Sequence, residues 1–148
     1  MNFQPIFLGG LIAGTLDISA ACLTAWLRAG VGPIRLCQSV AGGLLGPAAF
    51  DGGIKTALLG LALHFLIATI WTVIFYLASR KFLFLIERPI QFGLIYGIAV
   101  YLLMNFVVLP LSRVTPRPAT ITGRTIGLVT IMLCIGLPIS LIVRRFSR

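Results

Sequence analysis

The sequence predicts an all-α membrane protein: a four-helix transmembrane bundle with a short interfacial or re-entrant helix between its first two spans. Three observations carry this prediction. The 148 residues are 59% hydrophobic and only 10% charged, with a mean hydropathy of +1.08, far above the apolar share of a soluble domain. Four apolar windows, 6–27, 56–78, 90–111 and 126–143, approach or exceed the roughly 20 residues a helix needs to cross a bilayer. The basic residues stand at the window ends, among them Arg28, Lys55, Arg80, Lys81, Arg88, Arg113, Arg124, Arg144 and Arg145, where long cationic side chains snorkel to anionic headgroups. A single integral membrane domain over 1–148 is expected, with membrane lipids as its immediate surroundings.

The first span, Ile6 to Leu27, is uncharged except for Asp17 near its centre. A carboxyl group there costs roughly 2.5 to 3.5 kcal/mol on insertion scales, so the folded protein must offset it. Ser19-Ala20-Ala21-Cys22 loosely resembles a bacterial lipoprotein cleavage site, but Met1 to Pro5 carries no basic residue, and a retained helix is expected. The connection from Arg28 to Lys55 is too long and too apolar for a plain loop. Pro33 suits the first turn of a helix over 34–45, with Ile34, Cys37, Val40, Ala41, Leu44 and Leu45 on one face and Arg35, Gln38 and Ser39 towards the other. Such amphipathic patterning fits a helix at the membrane interface; a segment dipping back into the protein is the alternative. Glycine pairs then break the helix, and Asp51 is placed to cap the second span, 56–78. Gly52-Gly53-Ile54-Lys55-Thr56 is not a phosphate loop, because Ile54 separates glycine from lysine and no strand precedes it. A short basic connection, with Arg80, Lys81, Glu87 and Arg88, leads to the third span, 90–111. A loop rich in Pro, Thr and Arg then leads to the fourth, 126–143. Pro110 and Pro138 are expected to end or kink their helices.

Inside the membrane, small and polar residues recur at helical spacing. The first span has Gly10, Gly14, Asp17, Ala21, Thr24 and Arg28; the second Thr56, Gly60, His64, Ala68 and Thr72; the third Gly93, Gly97, Tyr101 and Asn105; the fourth Gly127, Thr130, Cys134 and Pro138. Gly10, Gly14, Gly60, Gly93 and Gly97 are therefore expected at close helix crossings. At about 1.5 Å per residue, Asp17, His64 and Asn105 lie roughly 15, 12 and 9 Å from the side where the first and third spans end. A cluster of these three is expected there. With Tyr101 they are the candidates for binding a ligand or proton. A carboxylate is disfavoured in low dielectric and favoured beside an imidazolium, so Asp17 and His64 can share a proton. The same groups can instead serve only to tie helices together.

Several function classes are disfavoured. A net charge of +9 and a pI near 10.8 suit nucleic acid, but the placement of the cations at span ends points to lipid. The three cysteines, Cys22, Cys37 and Cys134, form neither a CxxC pair nor an even set. No metal site or other cofactor is expected, since His64 is the one histidine and metal sites need three or four strong ligands. An enzyme is not expected either, because no serine or cysteine nucleophile stands beside a base. Orientation is undetermined by charge: Arg80, Lys81, Arg88, Arg144, Arg145 and Arg148 face Arg28, Arg35, Lys55, Arg113, Arg117 and Arg124 across the membrane. The clustered basic C-terminal tail alone leads to the expectation that both termini are cytoplasmic.

At Gly14-Thr15-Leu16-Asp17, Gln38-Ser39-Val40-Ala41-Gly42-Gly43-Leu44-Leu45-Gly46, Leu61-Ala62-Leu63-His64-Phe65 and Met104-Asn105-Phe106-Val107-Val108-Leu109-Pro110-Leu111, the chain resembles a group of small bacterial four-span inner-membrane proteins of no assigned activity. The likeness covers roughly residues 8 to 112. It implies four spans and a bacterial inner membrane, and lends no site residue a role. In architecture alone the chain also resembles the small multidrug exporters, with four short helices and an acid embedded in the first. Their acid is a glutamate in an aromatic-rich motif, which this chain lacks. The expected function is binding or transport of a small solute or proton through the polar cluster. The alternative is a non-catalytic structural subunit or assembly factor, in a homo-oligomer or with a membrane-complex partner.

Overall fold

The computed structural model describes residues 3–115 and 118–147; Arg117 and Arg148, counted in the charge balance above, lie outside them. Among the described residues all regular structure is helical, with no strand. Four helices are long and apolar enough to cross a membrane: Gln4–Ala29, Gly53–Lys81, Pro89–Leu111 and Ile121–Phe146. A fifth, Pro33–Leu45, joins the first two and is followed by a 3-10 turn, Gly46–Asp51. The short helix Phe84–Glu87 joins the second and third spans.

The spans pack in an order set by glycine. A Cβ on Gly10 would lie 2.5 Å from the Thr69 Oγ1, and one on Gly14 would lie 2.7 Å from Phe65, so the first span meets the second antiparallel with almost no side-chain spacer. The third and fourth spans are closer still. Gly136 faces the Gly93 carbonyl with no room for a Cβ, and a Cβ on Gly97 would lie 2.5 Å from the Met132 Cα. Small residues allow this approach, and van der Waals contact then binds helices that have no hydrophobic drive to associate in lipid. At this end Ile6, Phe75, Tyr76, Val100, Ile135, Ile139 and Val143 form the buried core. The Ser140 hydroxyl donates to the Pro89 carbonyl at 2.8 Å, and the Tyr96 hydroxyl donates to the Trp71 carbonyl at 2.6 Å.

The connecting helix begins at Pro33, where the missing N–H costs nothing, and lies against the first turns of the second span. Its buried face differs from the expected one: Cys37, Gln38, Ala41 and Gly42 are buried, whereas Ile34 and Leu44 are exposed. Close packing decides this. Gly60 sits directly on the Cys37 carbonyl, so the small residues must face the span and the larger aliphatic ones turn outward. Gln38 is inward because its amide donates to the Gly53 carbonyl at 2.9 Å. Asp51 does not cap the second span; the N-cap is Gly52 without a side-chain bond, and Thr56 donates to the Ala49 carbonyl at 2.6 Å. Gly46 and Gly53 take positive φ, 67° and 60°, which only glycine adopts freely and which let the chain turn twice within eight residues.

The third span ends at Leu111, one residue past Pro110, whereas the fourth runs through Pro138 to Phe146. Each proline follows a π turn, Met104–Val108 and Met132–Gly136. Proline lacks the N–H that would bond four residues back, and its ring clashes with that carbonyl. A wider i to i+5 turn just upstream accommodates both defects and lets the helix continue.

Candidate functional site

Away from the glycine contacts the bundle opens. The first span has no buried residue after Gly14, the third none after Val100 and the fourth none before Ile135. Two cavities occupy this end. The smaller, about 540 Å³, is a cleft between the first and fourth spans, with Asp17, Thr24, Arg28 and Thr130 among its lining. Asp17 lies at its inner end and Arg28 at its outer, about 16 Å apart along the helix at 1.5 Å per residue. Arg28 donates to the Thr120 hydroxyl at 3.4 Å, and that hydroxyl accepts the Gly123 N–H to cap the fourth span. The mouth of the cleft is thus tied at a helix N-terminus.

Asp17 and His64 are brought together as their stripes suggest. The His64 Nε2 is 3.8 Å from the Asp17 Oδ2, with side-chain exposures of 14% and 19%. It is also 3.0 Å from the Gly14 carbonyl, and that distance is the hydrogen bond: the ring N–H donates to Gly14 and ties the first two spans. The separation from Asp17 is within ion-pair range but too long for a hydrogen bond. Among the described residues, the Asp17 carboxyl accepts no hydrogen bond and faces the cleft.

Asn105 and Tyr101 are elsewhere. Both line the larger cavity, about 1080 Å³, between the connecting helix and the third and fourth spans. The Asn105 amide donates to the Tyr101 carbonyl of its own helix at 2.9 Å, and its side chain is exposed. The expected cluster of three is therefore a pair, Asp17 with His64, and Asn105 belongs to a second site. Helix geometry explains the difference. A step of four residues overshoots a turn by about 40°, so the three steps from Gly93 to Asn105 rotate the stripe by about 120°. The first span alternates steps of four and three and stays in phase.

Three residues of the larger cavity were read in sequence only as interfacial cations: Arg35, Arg113 and Arg124. The usable signal was the imbalance of twelve basic residues against three acids, which leaves most guanidinium groups without a carboxylate in the same chain. The remaining predicted packing residues, Gly10, Gly14, Gly60, Gly93 and Gly97, all stand at close approaches. No three His, Cys, Asp or Glu side chains come together among the described residues. No family model, curated protein or solved structure matches the chain.

Proposed function

We propose that this multi-pass membrane protein binds or moves a small solute or proton through the cleft that ends at Asp17. One observation carries the reading: His64 spends its N–H on the Gly14 carbonyl, which leaves the Asp17 carboxyl with no donor among the described residues and open to the cleft. An acid kept only as packing glue is satisfied by neighbouring helices; one that faces a cavity marks a path for protons or solutes. Asp17 is the proton-bearing or ligand-bearing group, His64 sets the field beside it, and Thr24, Thr130 and Arg28 line the approach. No catalytic chemistry is assigned to these residues. The setting is a bacterial inner membrane, with both termini cytoplasmic.

Replacing Asp17→Asn in proteoliposomes tests the proposal. Proton or solute flux driven by a pH gradient is expected to fall at least about tenfold, the size of effect set by losing one ionisable group from a pathway. Wild-type flux in the variant would sink the idea.

A second reading is a non-catalytic subunit or assembly factor. The His64 to Gly14 bond favours it, because that contact joins helices whatever Asp17 does. Purification in mild detergent separates the two readings, since a stable homo-oligomer on its own counts against a heteromeric role.

A further inference from the structure

We propose that the larger cavity is a binding site for an anionic phospholipid, with its phosphate held by Arg35, Arg113 and Arg124 and acyl chain running along Leu102, Phe106 and Leu109. The inference is independent of the role assigned to Asp17.

The argument begins with charge. The three arginines come from three separate parts of the chain: the connecting helix, the segment after the third span and the first turn of the fourth. The cavity they share contains no acidic residue among those described. The one ion-pair contact among the described residues joins Asp17 to His64, so none of the three has a carboxylate partner. Arg35 is fixed in place over the Phe50 ring at 4.9 Å. Arg113 is held by its backbone N–H, which donates to the Gly43 carbonyl at 2.9 Å. Planar guanidinium groups lining one cavity match the oxygens of a phosphate better than lysines do.

Shape supplies the second half of the argument. At about 1080 Å³ the cavity is at the top of the roughly 300 to 1000 Å³ range of ligand pockets, far larger than an inorganic anion needs. Below the arginines its wall is apolar, and Leu102, Phe106 and Leu109 are 47%, 70% and 41% exposed. These residues stand on a membrane-spanning helix and are left uncovered by the other helices, so an acyl chain can lie along them. A ligand with an anionic head and a hydrocarbon tail satisfies both regions, and basic pockets between spans are a known setting for such headgroups. The amide oxygen of Asn105 and the Ser39 hydroxyl, both in the lining, offer polar contacts near the boundary.

The test is titration of the detergent-purified full chain with phosphatidylglycerol or phosphatidylcholine, followed by native mass spectrometry of the lipid-bound state. Phosphatidylglycerol is expected to bind at least about tenfold tighter, the ratio that one charge-assisted hydrogen bond supplies. The triple variant R35Q/R113Q/R124Q should lose that preference, while R80Q/K81Q/R88Q at the opposite membrane surface should keep it. Should the triple variant fail to fold, Leu102→Trp, which fills the apolar wall and leaves the arginines intact, is expected to weaken phosphatidylglycerol binding to a similar degree. Equal affinity for the two lipids overturns the proposal. So does loss of the preference in the control variant, which would mean a general surface effect. Full competition by millimolar inorganic phosphate would identify a free anion as the occupant and overturn the lipid assignment.

Discussion

The two ends of this bundle are built by opposite rules. Around Gly93, Gly97 and Gly136 the backbones touch, Ile6, Phe75, Val100, Ile139 and Val143 are buried, and the Ser140 and Tyr96 hydroxyls reach carbonyls on neighbouring spans. Around Asp17 and Arg124 the same helices leave two cavities, lined by Asp17, Arg28, Arg35, Asn105, Arg113 and Arg124 among others. The comparison teaches that close packing and open, polar-lined space are assigned to different halves of the same helices. One half can then keep a costly carboxyl because the other does not depend on it.

Substitutions at the closed end should break this division most severely. Gly136→Leu places a side chain where the Gly93 carbonyl stands and should cost about 3 kcal/mol or more by overpacking, seen as loss of monodisperse protein on gel filtration. Gly127→Ala, whose new Cβ would be 3.5 Å from Tyr101, should stay within about 0.5 kcal/mol; equal damage from both would erase the contrast. Next in size, Asp17→Asn should raise thermal stability in detergent by about 1 to 2 kcal/mol, in the manner of a functional residue that strains its host. A marked loss of stability would instead make Asp17 a structural tie. Ser140→Ala should cost about 0.6 to 1 kcal/mol, typical of a polar contact between spans, measurable by the same melts. The smallest effect is expected at Asn105→Ala, below about 0.5 kcal/mol, because its one amide bond stays within its own helix.

Much of the fold was legible in the sequence because apolar length and terminal charge are read residue by residue. The all-α bundle, its four long apolar helices and the intervening short helix follow from such local signals. So do the close approaches at Gly10, Gly14, Gly60, Gly93 and Gly97. The site was legible only where phase was kept. Asp17 and His64 meet; Asn105 was misplaced because repeated steps of four drift around the helix, as they do from Thr56 to Thr72. There the Gly60 end faces the connecting helix and the Ala68 end faces the first span. The π turns that absorb Pro110 and Pro138 had no sequence signal beyond the prolines themselves. Gln38 was assigned outward because polarity was weighed above packing, and its inward bond to Gly53 depends on a turn 15 residues away.

The absence of buried residues beyond Gly14 in the first span has a mechanical consequence. From Gly14 to Ala29 the helix is a lever about 22 Å long, fixed at the glycine contact with Phe65 and Ala68 and touching few neighbours beyond it. A tilt of about 10° at that fulcrum would move the Ala29 end by about 4 Å, more than the width of a water molecule at about 2.8 Å, and the Arg28 to Thr120 hydrogen bond is what opposes it. Widening the cleft above Asp17 therefore means stretching the Arg28 to Thr120 hydrogen bond at its mouth.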